Sequence, residues 1–89
     1  MQERQLEISN KLGLHARAAA KVVAIASRYN ARIRVQQGDQ AVDAKSIMGL
    51  LTLGAGQGSH LVITVDGDDE EQALADLTDL FQRHFDEED

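Results

Sequence analysis

His15 lies in the segment Gly13-Leu14-His15-Ala16-Arg17, directly ahead of the alanine-rich stretch that runs from Ala18 to Ala26. This spacing puts an imidazole at the mouth of a helix, with a guanidinium two residues on. A helix start offers backbone N–H groups without intrahelical partners and the positive end of the macrodipole, so it suits an anion. The same positive end opposes a second proton on the ring, which leaves one nitrogen with a lone pair free to attack phosphorus. Arg17 adds a planar fork of donors for the transferred oxygens. Together these residues suit a phosphoryl group, with either ring nitrogen as nucleophile. Taken alone, His-x-Arg beside a helix start more often has a structural role, so the rest of the chain must decide.

A second segment, Ala44-Lys45-Ser46-Ile47-Met48-Gly49, places a serine before a short apolar run. Ser46 reads first as a helix cap. Ile47, Met48 and Leu51 form an apolar set on a helix of about two turns. Such a helix cannot bury every side, and an exposed apolar patch commonly marks a partner site.

Other candidates have plainer readings. Gly54-Ala55-Gly56-Gln57-Gly58 follows a helix and precedes a strand, the reverse of a nucleotide-binding loop, and reads as a flexible connector. The acidic run from Asp66 to Glu71 lacks the pattern of a calcium loop and reads as a helix entry. With no cysteine and only three scattered histidines, of which His60 and His84 are expected to be solvated, no metal site is expected. No cofactor is expected either.

The net charge of −6 conceals a division: residues 1–45 carry eight basic against four acidic side chains, and residues 66–89 carry one against eleven. This balance disfavours nucleic-acid binding, which needs a concentrated basic stripe. The basic half contains His15, so an acidic protein partner is expected. No apolar run reaches the length of a membrane span and residues 1–5 lack the plan of a secretory signal, so the reading is a soluble, cytoplasmic protein. The 89 residues suit one small domain, 1–89.

The elements that must position these residues follow from periodicity. Residues 4–8 alternate as a strand; Ala19, Val22, Val23 and Ala26 recur at helical spacing within 16–29; residues 32–35 and 41–43 flank a turn at 37–39. Ser46 caps a brief helix ending before Gly54, and residues 61–65 form a fourth strand. Ala73, Leu74, Leu77, Leu80 and Phe81 mark the inner face of a last helix, whose first turn carries Asp68, Asp69, Glu70 and Glu71. The order suits an α+β fold, an antiparallel sheet with helices on one face. Periodicity leaves the strand order open.

The segments 10–17 and 44–49, at this separation in so short a chain, resemble the HPr family of bacterial phosphocarriers together with its nitrogen-branch NPr relatives. The resemblance covers nearly all of the chain. It implies an open-faced sandwich with strand order 1-4-2-3 and three helices on one face. It further implies a carrier rather than a stand-alone enzyme: His15 accepts a phosphoryl group at Nδ1 from phosphorylated enzyme I of the phosphoenolpyruvate-dependent phosphotransferase system and passes it to IIA-type proteins. The backbone N–H groups of Ala16 and Arg17, with the Arg17 guanidinium, would stabilise the transferred charge. By the same resemblance the docking surface combines Ala16, Arg17, Ala20, Ile47, Met48 and Leu51, leaving Leu50 and Leu53 for the core. Ser46 would be a regulatory phosphorylation site served by an HPr kinase/phosphorylase, and the carrier a monomer.

One departure is plain: the family usually has proline after the arginine, where this chain has Ala18. Proline suits a first helical turn, but alanine is an excellent helix former, so the expected effect falls on local rigidity and transfer rate. The segment 10–15 and the acidic end lean toward the nitrogen branch, while 45–49 fits a kinase-regulated carrier of either branch. Two rival readings are a regulatory module acting mainly through phosphorylated Ser46, and a small phosphatase. The second lacks an accompanying general acid or base.

Overall fold

The structure is a computed structural model in which residues 1–87 are described. Its elements are β1 (Gln2–Glu7), α1 (Ala16–Ala26), β2 (Arg32–Gln37), β3 (Gln40–Asp43), α2 (Ile47–Thr52), β4 (His60–Asp66) and α3 (Glu70–Gln82). A single tight turn at His84–Asp86 follows α3.

The strands alternate because only one sheet face is covered. Leu6, Ile33, Val35, Leu61, Ile63 and Val65 are buried, while neighbours such as Gln5 and Arg34 face solvent. The four strands form one antiparallel sheet in the order β1-β4-β2-β3. Leu6 lies opposite Leu61, and Ile63 lies between Arg4 and Val35. This is the open-faced arrangement with helices against one face. Beyond β1, the ladder is continued by Ile8, whose N–H donates to the Ser59 carbonyl at 2.9 Å and whose carbonyl accepts from Gly58 N–H at 2.7 Å.

The face of α1 departs from expectation. Ala18, Ala19, Val22, Ile25 and Ala26 are buried, whereas Val23 is half-buried. The inner stripe is therefore rotated toward Ile25. Regular helix also stops at Ala26 rather than near Tyr29, because the chain tightens: Arg28 N–H donates to Ile25 and Tyr29 N–H to Ala26, each three residues back, at 3.1 and 3.2 Å. All five expected inner residues of α3 are buried, and so are Leu50 and Leu53.

Asp68 and Asp69 fall outside α3. Asp69 is its cap residue, but its carboxylate instead accepts from the backbone N–H groups of Asn30 and Ala31, at 2.8 and 2.9 Å. The entry of α3 is thereby fastened to the start of β2.

Candidate functional site

His15 is itself the cap of α1. Its backbone is extended, its carbonyl accepts from Ala19 N–H at 2.8 Å, and its ring Nδ1 accepts from Arg17 N–H at 3.2 Å. An imidazole nitrogen thus does what a serine or aspartate oxygen usually does at this position. Since Nδ1 accepts, the proton of a neutral ring belongs on Nε2. On that side lies Glu87, whose Oε2 receives the Nε2 hydrogen bond.

Two segments hold the loop before His15. Asn10, fully buried, donates through Nδ2 to the Gly13 carbonyl at 2.9 Å and to Glu87 Oε1 at 2.6 Å. Leu14 N–H donates to the Ala55 carbonyl at 2.9 Å, and Gln57 Nε2 to the Ser9 carbonyl at 3.2 Å. The glycine-rich segment 54–58 is a connector, yet it is bonded to the loop that carries His15 and braces it.

The tail arrives through unusual backbone. His84, Phe85 and Asp86 have φ of +56°, +55° and +62°, the left-handed region that costs a non-glycine residue about 1 kcal/mol or more. Packing and polar contacts offset this. Phe85 is fully buried, with its ring 4.8 Å from that of Phe81; Lys21 Nζ donates to the Phe85 carbonyl at 2.7 Å; His84 Nδ1 and Ser9 Oγ lie 2.7 Å apart. Burial pushes the Glu87 carboxyl up, but hydrogen bonds from Asn10 and His15 and the charge of Lys21 outweigh it, holding Glu87 below the ordinary glutamate value.

Arg17 is exposed at the start of α1, as are Ala16 and Ala20. On α2, which packs beside α1, Met48 and Ile47 are 71% and 40% exposed, while Leu51 is half-buried against the core. Leu12, 71% exposed in the loop before His15, adds apolar surface that sequence reasoning missed. Ser46 caps α2, with its Oγ accepting from Gly49 N–H at 3.0 Å. His60 and His84 are exposed as expected, though His60 Nε2 lies 3.5 Å from Glu7. Sequence reasoning gave neither Asn10 nor Glu87 a role at the site: Asn10 was read only as part of the segment 10–17, and Glu87 lies in an acidic run that reads as solvated.

A family model described as the PTS HPr component phosphorylation site matches residues 2–83. The chain belongs to the HPr family. It is 42% identical over 88 residues to phosphocarrier protein HPr of Xylella fastidiosa, covering 99% of each chain. It is 44% identical over 85 residues to phosphocarrier protein NPr of Shewanella violacea, covering 96% of this chain and 93% of that one. A crystal structure of HPr from Thermoanaerobacter tengcongensis superposes with a TM-score of 0.95 at 46% identity, covering 99% of each chain.

Within this HPr frame, Ala18 is the third residue of α1 and is fully buried, so its methyl joins the core and the helix start remains regular. Among the described residues there is no cluster of side chains that could hold a metal, and no helix is long and apolar enough to cross a membrane.

Proposed function

We propose that this HPr-family chain is a phosphocarrier that takes a phosphoryl group from phosphorylated enzyme I onto Nδ1 of His15 and delivers it to an IIA-type acceptor. The observation that carries this reading is the capping geometry: Nδ1 points its lone pair at the Arg17 N–H in the first turn of its own helix. In the transfer, that lone pair attacks phosphorus while the bond from phosphorus to the donor's nitrogen breaks and its electron pair returns to the donor. Arg17 N–H, now released from Nδ1, turns to a phosphoryl oxygen, and Ala16 N–H offers a second donor. The Arg17 guanidinium, without an ion-pair partner among the described residues, is available for the remaining charge. Nothing here requires a general base, because phosphoryl transfer between nitrogens rests on positioning and charge stabilisation.

Docking would use Ala16, Arg17, Ala20, Ile47, Met48 and Leu51. A carrier must leave one partner to meet the next, so weak and rapidly reversible binding suits it. Such a chain works as a monomeric cytoplasmic carrier and turns over no substrate by itself. Incubation with enzyme I and phosphoenolpyruvate, followed by mapping of acid-labile phosphate, tests this. Phosphate confined to His15 and lost in His15→Ala is expected; none from either enzyme I paralogue would overturn the reading. Offering the phosphorylated protein IIA acceptors from both branches then assigns sugar uptake or nitrogen regulation.

Ser46 supports a regulatory layer. Its hydroxyl caps α2 next to exposed Ile47 and Met48. A phosphate added there by an HPr kinase/phosphorylase would suit the helix start while bringing about −1.5 to −2 charge to the docking surface. A reading in which phosphorylated Ser46 is the main output, with His15 secondary, predicts a partner captured by Ser46 phosphate and indifferent to His15→Ala.

A further inference from the structure

We infer that Glu87 is a positioning residue for His15, one that holds the imidazole in its Nε2–H tautomer with Nδ1 turned to the start of α1. This rests on the carrier reading only for its consequence in transfer; the positioning itself can be read without any phosphoryl donor.

Three observations carry it. First, both carboxylate oxygens are engaged, Oε2 with His15 Nε2 and Oε1 with Asn10 Nδ2, so the group cannot rotate freely. Second, Asn10 is buried and is also bonded to Gly13, which makes it a rigid anchor on the same loop as His15. Third, the chain accepts three consecutive left-handed residues to bring Glu87 there, with Phe85 buried as the pin. The Glu87 side chain is only 12% exposed and that of His15 27%, so this hydrogen bond to a carboxylate is screened less than one at an open surface.

The chemistry gives the carboxylate a second task. As the bond from Nδ1 to phosphorus forms, the lone pair is shared and the ring gains positive charge, while the proton on Nε2 stays in place. A carboxylate on that proton stabilises the charge as it develops, and does so equally in the reverse step. Carboxylates orient imidazoles in this way behind metal ions, where losing such a partner costs about tenfold or more in affinity or activity.

The test uses 15N-histidine labelling and NMR on the unphosphorylated full chain, with enzyme I kinetics and thermal unfolding alongside, for wild type, Glu87→Ala and Glu87→Gln. In wild type, His15 should be wholly Nε2–H. In Glu87→Ala both tautomers should appear, and kcat with enzyme I should fall about tenfold at nearly unchanged KM. Glu87→Gln, which keeps a neutral acceptor, should restore the tautomer but only part of kcat. Wild-type tautomer and kcat in Glu87→Ala would overturn the proposal, even if unfolding occurs at lower temperature, because the carboxylate would then only fasten the tail. A mixed tautomer in the wild type would overturn it too. If the wild type accepts no phosphate at all, the carrier reading fails separately, while the tautomers still decide the role of Glu87.

Discussion

The Leu14 N–H and the Ala55 carbonyl are joined by a 2.9 Å hydrogen bond, so the loop leading into His15 lies directly against the connector between α2 and β4. The contact is possible because Gly13 has no side chain. Its φ is +69°, and a β-carbon there would lie 2.6 Å from the Ala55 oxygen and 2.8 Å from the Gly56 α-carbon. Backbone on both sides leaves nothing flexible to move aside.

Gly13→Ala should therefore lower stability by about 3 kcal/mol in urea unfolding, from left-handed strain and the clash together. Phosphorylation of His15 should slow as the loop shifts. Gly38→Ala is the internal comparison: φ is +58° but, its chain neighbours aside, no atom of the described residues lies within 4 Å of a β-carbon there, so about 1 kcal/mol is expected.

Met48 is 71% exposed and contributes little to the core. Met48→Ala should leave the unfolding midpoint nearly unchanged but raise the KM for enzyme I by about tenfold, the effect of losing one central apolar anchor. An unaltered KM would remove Met48 from the docking surface.

Ser46→Ala removes the cap of α2 and should cost about 1 kcal/mol. Ser46→Asp retains an acceptor for Gly49 N–H, so it should keep most of the stability while slowing phosphorylation of His15 by enzyme I. Equal rates for Ser46→Asp and wild type would count against control through this site.

Asp69 sets an acid limit. The Asn30 N–H is the largest influence, joined by Ala31 N–H against a counteracting effect of burial, and together they hold the carboxyl below its ordinary 3.8. The unfolded chain binds this proton more readily, so the contribution is complete above the ordinary value and is lost as pH falls through the lower folded one. Asp69→Asn should flatten the pH dependence of unfolding midpoints in that window while leaving the region above pH 6 nearly parallel to wild type.

Much of the fold was legible wherever one face of an element decides its residues. The alternation in β4, the inner stripe of α3 and the Ser46 cap all depend on neighbours within a few positions. The face of α1 was harder to read, because alanines, Val23 and Ile25 are all small or apolar and a modest rotation exchanges them. His15 and Arg17 were legible as chemistry at a helix start. That the ring itself caps the helix was not, since imidazole is an uncommon cap. Glu87 was invisible because its partner lies 72 residues away and three left-handed residues without a glycine bring it there.

The sheet order has a kinetic side. β4 is the inner strand that pairs with both β1 and β2, while β1 and β3 form the edges. Before β4 joins, the only strand pairing available is the local β2–β3 hairpin, and β1 must wait for a partner more than half the chain away. Loop closure of that length is an entropic cost met before most of the core is gained, so assembly of β4 gates folding. Substitutions at Leu61, Ile63 or Val65 should retard refolding, whereas those confined to α2 should mainly hasten unfolding.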